Sequence, residues 1–432
     1  MTPFEAALAL VLLLGAAPSP TALAPGQGAL AAGPGIGTTL ELEAPSGERT
    51  TVQLEDFELD PRQAGESRLE SLRILVLGPV TQPAVAPGED AGRLVVELLG
   101  GDRLTGAVAG GRAEQLLVEG PGGTPIPVSI DAIDSVMFPG RIPEDPGIRV
   151  ERPAEGDRLY RRVGRELDRV DGTLDGFDLE GVRFESLVGS SLVPWGELAA
   201  LFVEPLGGID PLEISASGPP VVVDLVDGSR LSGALLRLDA GGLGLELTGE
   251  TRVLFQVADV ALISARDDRL AYLSELEPVR VEEGSAFGDE VGMVFRHQVD
   301  RAVFGRPLEC GGRRFARGLG VLTPSRLEWA LPAESPFDQL RGTVGIDQAA
   351  GALGLEGSVR FAVELDGEEA WTSPVLNVSA GPLALPPLDV SNARRLALVA
   401  HMERDWNTGD LGDWLDVRLV RHGASEVSGA PR

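Results

Sequence analysis

The sequence predicts an all-β protein built of several domains. Short apolar or alternating runs recur along the chain, as at 95–98, 221–225 and 359–365, and turn-forming residues bound each of them. Glycine (56 residues) and proline (32 residues) are frequent enough to supply many turns. Hydrophobic residues make up 43% of the 432 residues, which suffices for packed cores, and almost no segment has the spacing of an amphipathic helix.

The N-terminal segment predicts export. An apolar run of about ten residues, Leu8–Ala17, is too short to cross a bilayer but has the length of a signal-peptide core. We therefore assign residues 1–31 to a signal peptide, with small-residue cleavage patterns ending at Ala24 and at Ala31. Glu5 departs from the usual basic start. No later run has the length of a membrane span, so we expect a secreted, periplasmic or cell-surface protein.

An internal repeat occupies the middle of the chain. At a constant offset of 127 residues, Gly101–Gly106 aligns with Gly228–Gly233. A weaker copy lies between the two, at 170–201. The offset also holds at the far end of each copy, where three apolar positions align with three others: Ile130, Ile133 and Val136 with Val257, Val260 and Ile263.

The layout of each copy predicts five strands. A first strand leads through a glycine turn into a second strand that contains a glycine, and three strands follow. This layout resembles small barrels of the Sm-like or SH3-like type, in which a strand glycine permits a sharp bend, and a generic β-meander repeat is the alternative. We expect separate barrel-like modules, which are candidates for contacts with protein partners, at 91–140, 155–205 and 219–267, with a degenerate β repeat at 36–81.

The composition argues against several classes of protein. The formal charge is 37 − 66 = −29, and all the cations are arginine, so the chain repels phosphate backbones and nucleic acid is not expected as a partner. A Walker loop needs lysine, and neither an H-E-x-x-H nor a G-x-S-x-G pattern occurs. The single cysteine, Cys310, cannot form an intrachain disulfide, and we expect a buried or idle thiol. We do not expect an enzyme.

The C-terminal third contains an ordered set of motifs. They are, in chain order, Leu270–Val279, Arg317–Val321, Gly342–Asp347, Ser358–Gly367 and Gly412–Asp416. Over residues 270–422 this set resembles the NPCBM family of carbohydrate-binding modules. The resemblance implies a galactose-binding-like β-sandwich, a jelly roll of two antiparallel sheets, that binds glycans or stands as a noncatalytic module beside glycoside hydrolases.

Two positions depart from the family pattern. The family usually has histidine after its G-L-G-V segment and within its D-H-A-D-W segment, where this chain has Leu322 and Leu411. We expect both leucines to be at least partly buried and near each other, because two polar-to-leucine changes are least costly where the new side chains cover one another. Their presence puts in doubt any function that depends on those histidines.

Sugar recognition needs an exposed aromatic ring and polar side chains that bond hydroxyl groups. Trp371 is one candidate, and the best cluster consists of four consecutive residues, Arg404, Asp405, Trp406 and Asn407. The alternative is that both tryptophans lie at the edge of the core. Trp329 and Trp414 stand within strands, and we expect them in the core.

The acidic residues Asp410, Asp413 and Asp416 have a spacing that could suit a structural calcium ion, which takes six to eight oxygen ligands. The alternative is that they are turn and solvated carboxylates. We expect no other cofactor.

Two functions fit these observations. The first is an exported, noncatalytic protein that binds cell-surface or extracellular glycans, including surface polysaccharide, and the loop around Trp406 favours it. The second is a structural or protein-interaction scaffold whose module does not bind sugar, which the two leucines favour.

Overall fold

The computed structural model describes residues 38–61, 69–77, 91–143, 149–164, 166–205, 218–247, 251–284, 295–403 and 407–422. The expected signal peptide, residues 1–31, lies outside these ranges. Within them the chain forms 32 strands, short 3-10 turns and one α-helix, α1 (Gln348–Ala352). The chain is therefore an all-β protein, as the sequence predicts. Across the same ranges, the helical segments are too short and too polar to traverse a lipid bilayer.

The degenerate N-terminal repeat contains three strands. The first of them in the chain lies in the middle and pairs antiparallel with both others. The strands are β1 (Thr39–Glu43), β2 (Arg49–Gln53) and β3 (Arg73–Leu77).

Each of the three following repeats contains five strands. The first repeat has β4 (Arg93–Leu98), β5 (Arg103–Arg112), β6 (Gln115–Glu119), β7 (Pro125–Ser129) and β8 (Ile133–Met137). The second has β9 (Asp157–Val163), β10 (Glu166–Phe177), β11 (Gly181–Ser186), β12 (Gly189–Pro194) and β13 (Leu198–Phe202). The third has β14 (Pro220–Leu225), β15 (Arg230–Asp239), β16 (Gly242–Glu246), β17 (Arg252–Phe255) and β18 (Val260–Ala265).

The three repeats share one pairing pattern. In each, the first strand pairs with the second and with the fifth, the second pairs with the third, and the third pairs with the fourth. β4 and β14 start 220 − 93 = 127 residues apart, and the other four strand starts keep this offset. The relation of these repeats to Sm-like or SH3-like barrels stays a prediction.

A glycine in the second strand of each repeat has a steric reason. A Cβ atom on Gly106 would lie 2.2 Å from the carbonyl oxygen of Glu119, and one on Gly233 would lie 2.5 Å from that of Glu246. In the second repeat, a Cβ atom on Gly172 would lie 2.0 Å from the carbonyl oxygen of Glu185. The second strand therefore approaches the third more closely than any side chain permits.

The repeats are not separate modules, which differs from our expectation. β8 pairs with β13, β18 pairs with β3, and β5 touches β15, so all 18 strands belong to one hydrogen-bonded sheet system. A single hydrophobic cluster runs through all four repeats, from Leu40 to Ala265. Each small repeat exposes edge strands, and pairing those edges with neighbouring repeats satisfies their backbone groups.

The C-terminal part is a β-sandwich. The first half of its strands is β19 (Leu270–Tyr272), β20 (Arg280–Glu283), β21 (Gln298–Val299), β22 (Leu308–Cys310), β23 (Arg313–Phe315), β24 (Gly318–Leu322) and β25 (Ser325–Ala330). The second half is β26 (Gln339–Ile346), β27 (Val359–Leu365), β28 (Glu368–Thr372), β29 (Leu383–Ala384), β30 (Leu388–Asp389), β31 (Arg395–Met402) and β32 (Leu411–Val420). One sheet follows the order β21-β24-β32-β26-β29, with β19 beside β32 and β30 beside β26, and the other follows the order β20-β25-β31-β27-β28.

Tryptophan side chains fill the space between the two sheets. Trp414 and Trp329 are both buried in the core, as predicted. The Trp414 ring packs edge-to-face on Phe361, with 5.1 Å between ring centroids. Such a pair contributes packing area and a favourable quadrupole contact.

Buried ion pairs join the sandwich to the repeats. Glu43 on β1 faces three buried guanidinium groups, those of Arg73, Arg341 and Arg418. The more exposed Arg49 lies 3.8 Å away, and Arg73 also reaches Asp416 at 2.7 Å. Burial alone would raise the pKa of Glu43, but the charges of Arg418 and Arg73 lower it to about 2. The two parts of the chain therefore share a desolvated, charge-compensated interface.

Candidate functional site

Four of the five residues predicted for sugar binding, 404–407, belong to the segment that connects β31 to β32. Arg404, Asp405 and Trp406 fall outside the described residues. Asn407 is half-buried, and its Nδ2 atom donates to the Thr323 carbonyl oxygen at 2.9 Å. Its amide is therefore partly used in holding the loop against the turn between β24 and β25.

Asp410 fixes the other end of this loop. Its carboxylate accepts hydrogen bonds from Thr323 Oγ1 at 2.8 Å and from the Ser358 backbone N–H at 2.6 Å. Burial raises the pKa of Asp410 to about 6, although these two bonds act in the opposite direction. Asp410 thus joins three turns at one rim of the sandwich, directly before β32 begins.

A polar row on the outer face of the sheet ends at the same rim. Arg360 on β27 lies directly opposite His401 on β31, and Arg360 Nε donates to Glu403 Oε1 at 2.5 Å. The other side of the guanidinium lies 3.5 Å from Thr372 Oγ1. Glu403 directly precedes 404–406 in the sequence. The sequence does not predict this row, because its grouping depends on which strands become neighbours. These residues provide hydrogen-bond donors and acceptors of the kind that sugar hydroxyls use.

Trp371 lies on β28, the edge strand of the same sheet. It stands opposite Val363 and is half-buried, with part of its ring packed on the sandwich core. Its ring thus combines an edge-of-core position with partial exposure.

The two leucines that replace the family histidines are direct neighbours. Leu322 and Leu411 are cross-strand partners on β24 and β32, and both are buried in the sandwich core. This confirms the prediction that they lie close together and cover one another. A pair of aliphatic side chains therefore stands where the family usually has two histidines, and these positions provide no imidazole group.

The structure does not bring the three candidate calcium ligands together. Asp410 faces the turns described above, Asp413 faces Asp347, and Asp416 forms its ion pair with Arg73 in the domain interface. Among the residues that the structure describes, no three His, Cys, Asp or Glu side chains are grouped to hold a metal ion. Each carboxylate is instead held by a different part of the fold, and spacing in sequence could not show this.

Asp413 belongs to a buried cluster on the outer face of the other sheet. It stands between Gly320 and Gly345 on the neighbouring strands, under the β22–β23 hairpin that contributes Cys310. Burial, followed by the negative charge of Asp347, raises the pKa of Asp413 well above its ordinary range.

The partners of Asp413 have structural roles. Asp347 caps α1 by accepting the backbone N–H of Ala349 at 2.8 Å, and it also accepts that of Glu309. Cys310 is buried as predicted, and burial together with Asp413 and Asp347 raises the pKa of its thiol to about 12. A protonated, enclosed thiol is a poor nucleophile.

Comparison with known proteins agrees with this description. Residues 269–420 match the NPCBM/NEW2 domain family. The alpha-1,3-galactosidase B of Akkermansia muciniphila is 29% identical over 131 residues, which is 30% of this chain and 16% of that enzyme. The match thus spans about one sixth of the enzyme's length.

Two solved structures from Clostridium perfringens are also similar. The CBM51 of GH95 in complex with methyl-galactose is 23% identical and aligns over 35% of this chain and 99% of its own, with a TM-score of 0.31. CBM51-2 and INT domains of ZmpB in complex with GlcNAc are 22% identical over 41% of this chain and 36% of that one, also with a TM-score of 0.31. From the ordered motifs, the sandwich topology and the family match, residues 269–420 of this chain are an NPCBM/NEW2 domain.

Proposed function

We propose that this chain is an exported, noncatalytic carbohydrate-binding protein whose NPCBM/NEW2 domain binds cell-surface or extracellular glycans. The observation that carries the proposal is the family match over 269–420. In the same proposal, residues 1–31 direct export, and the repeats hold the domain in a fixed orientation through the Glu43 interface.

We place the sugar at the rim formed by the 404–410 loop. Asn407 and Asp410 tie the described part of this loop to Thr323 and Ser358. These hydrogen bonds hold residues 407–410 in place beside the proposed site, so this part of the loop would lose little conformational entropy on binding. In this proposal Trp406 stacks on the sugar, while Arg404, Asp405 and the Arg360 row bond its hydroxyls.

Replacing Trp406 with alanine in the full chain tests the site. We expect Trp406→Ala to abolish retention on resins that carry galactose or N-acetylglucosamine while leaving the melting temperature nearly unchanged, because a stacking ring has a free face. If Trp406 were a core residue, the change would instead destabilise the domain by about 3–5 kcal/mol. Pull-downs and thermal melts of the same preparation separate these outcomes.

Two further tryptophans provide matched controls. Trp329 is buried and donates from Nε1 to the Leu276 carbonyl at 2.8 Å, so Trp329→Ala shows how the loss of a core tryptophan affects the melt. Trp371→Ala removes the half-buried ring at the sheet edge and tests the second candidate. Unchanged retention by folded Trp406→Ala protein would remove the 404–410 loop from the proposed site.

The second candidate function is a structural or protein-interaction scaffold. The buried Leu322–Leu411 contact favours it, because an apolar pair stands where the family has polar side chains. The absence of glycan retention by folded full-length protein, together with capture of a protein partner through the repeats, would support this alternative.

A further inference from the structure

A polar cleft lies where the repeats meet the sandwich. Its volume is about 410 Å³. It is lined by the turn at 100–102, by the third repeat at 222, 230–232 and 264–267, and by the sandwich at 270–275 and at Arg317. This cleft is separate from the 404–410 rim and exists only because the two parts of the chain are docked together.

The charges around the cleft nearly cancel. Arg230 and Arg317 share the Asp224 carboxylate, at 2.9 Å and 2.8 Å, and Arg230 also reaches Asp300 at 2.7 Å. Arg317 further pairs with Glu275. The charged side chains that line the cleft itself are three arginines and three acidic residues. A ligand that carries its own net charge would therefore gain no net attraction from this lining and would still lose its hydration.

Hydrogen-bonding groups of both kinds remain at the cleft wall. Arg266 is half-buried and forms no salt bridge with any residue that the structure describes, although its charge acts on Asp102. The Asp102 carboxylate accepts the Ser232 backbone N–H at 2.7 Å and the Ser232 hydroxyl at 2.6 Å. A guanidinium donor and a carboxylate acceptor on one wall match the adjacent hydroxyl groups of a sugar ring.

The floor of the cleft contains polar groups that are not satisfied. Tyr272 Oη and Ser264 Oγ are 3.1 Å apart, and the Arg317 guanidinium stands 4.9 Å from the centroid of the Tyr272 ring. Arg317 Nη2 and Ser274 Oγ have no hydrogen-bond partner among the described residues, and both are buried. Unpaired buried polar groups destabilise a fold, so such groups are commonly retained where a bound molecule can reach them after a small adjustment.

We propose that this cleft binds one uncharged sugar unit, held by Arg266, Arg230, Asp102 and the serine hydroxyls between the repeats and the sandwich. The volume is in the range of small-molecule sites, and the mixture of donors and acceptors with a nearly balanced charge selects a neutral polyhydroxylated ligand. This site goes beyond the proposed rim site and does not depend on Trp406.

Hydrogen–deuterium exchange of the full chain tests the cleft directly. The probes are D-galactose, D-mannose and N-acetylglucosamine, each at millimolar concentration, with D-galacturonate as a charged comparison. We expect at least one neutral sugar to slow exchange at 99–103 and 264–275, and galacturonate to bind about tenfold more weakly. Arg266→Gln should remove this protection, whereas Arg149→Gln, at an exposed position that does not line the cleft, should retain it.

The result also distinguishes the cleft from the rim. Protection confined to 401–411 would support the rim site and overturn the cleft proposal, as would no protection by any of the three neutral sugars. Equal protection by galacturonate would overturn the assignment to uncharged ligands. Protection at 99–103 and 264–275 that persists in folded Arg266→Gln protein would show that Arg266 does not hold the ligand and would contradict the site as drawn.

Discussion

At the scale of single residues, Asp410 couples the rim of the sandwich to pH. Burial raises its pKa from an ordinary value of 3.8 to about 6. At a pH between these two values, the folded state therefore keeps a proton that the unfolded state has released. This contribution to stability is fully present below about pH 4 and is lost as the pH rises through about 6.

Asp410→Asn should remove this dependence. We expect the free energy of unfolding of the unmodified protein to fall by about 2–3 kcal/mol relative to Asp410→Asn between pH 4 and pH 7, since each unit of pKa shift corresponds to about 1.4 kcal/mol. Urea titrations at several pH values measure the difference, with Asp131→Asn, on an exposed turn, as the control. A difference between the two proteins that stays constant over this range would contradict the proposed buried proton.

Residue patterns predicted some contacts and could not predict others. The position of Leu322 and Leu411 was predictable because both occupy family strand motifs and a leucine is stable where another leucine covers it. The partners of Asp413 and Asp416 were not, because Asp416 pairs with Arg73 and the two residues are 416 − 73 = 343 positions apart. Arginine and aspartate are usually solvated, so sequence alone gives little reason to expect them buried.

At the scale of elements, the strand glycines decide how closely the second and third strands of each repeat can approach. We expect Gly233→Ala to destabilise the protein by about 1–3 kcal/mol, because the new Cβ would meet the Glu246 carbonyl oxygen at 2.5 Å and the backbone there cannot move away cheaply. Gly196→Ala is the matched control, since no atom lies within 4 Å of its Cβ position. Thermal melts compare the two, and equal melting temperatures would mean that the close approach is not required.

The repeated strands were predictable, but their assembly was not. The 127-residue offset identified equivalent strands because turn glycines and core residues recur within each copy. The pairings of β8 with β13 and of β18 with β3 join different copies, and they depend on which edges come together after each repeat has formed. Nothing in an alternating strand pattern specifies its neighbour across such an edge.

At the scale of the whole molecule, Glu43 holds the repeats against the sandwich. It is buried among Arg73, Arg341 and Arg418, so Glu43→Gln would leave three guanidinium groups with reduced compensation. We expect a loss of about 3–5 kcal/mol, the usual cost of removing one partner from a buried ion pair. Differential scanning calorimetry measures the effect, and the exposed Glu55→Gln is the control.

The pH dependence of this interface has the opposite sign to that of Asp410. Because the pKa of Glu43 is lowered to about 2, its contribution is present above about pH 4.5 and is lost as the pH falls toward 2. The difference in stability between the unmodified protein and Glu43→Gln should therefore shrink in acid. A Glu43→Gln protein with an unchanged melting temperature at neutral pH would show that the two parts of the chain do not depend on this contact.

The interface also determines which protein should be used to test sugar binding. An isolated sandwich would expose Arg317, Arg341 and Arg418, which are buried against acidic partners from the repeats in the full chain. Measurements on the full chain keep these partners in place and keep the rim in the geometry described above.

A glycan array probed with the folded full chain tests the central claim most directly. We predict retention of a coherent subset of glycans that share one terminal sugar, because a single rim with fixed hydrogen-bond groups selects one arrangement of hydroxyls. If protein with a normal melting transition retains no glycan on the array, carbohydrate binding by the NPCBM/NEW2 domain is contradicted and the scaffold alternative is favoured.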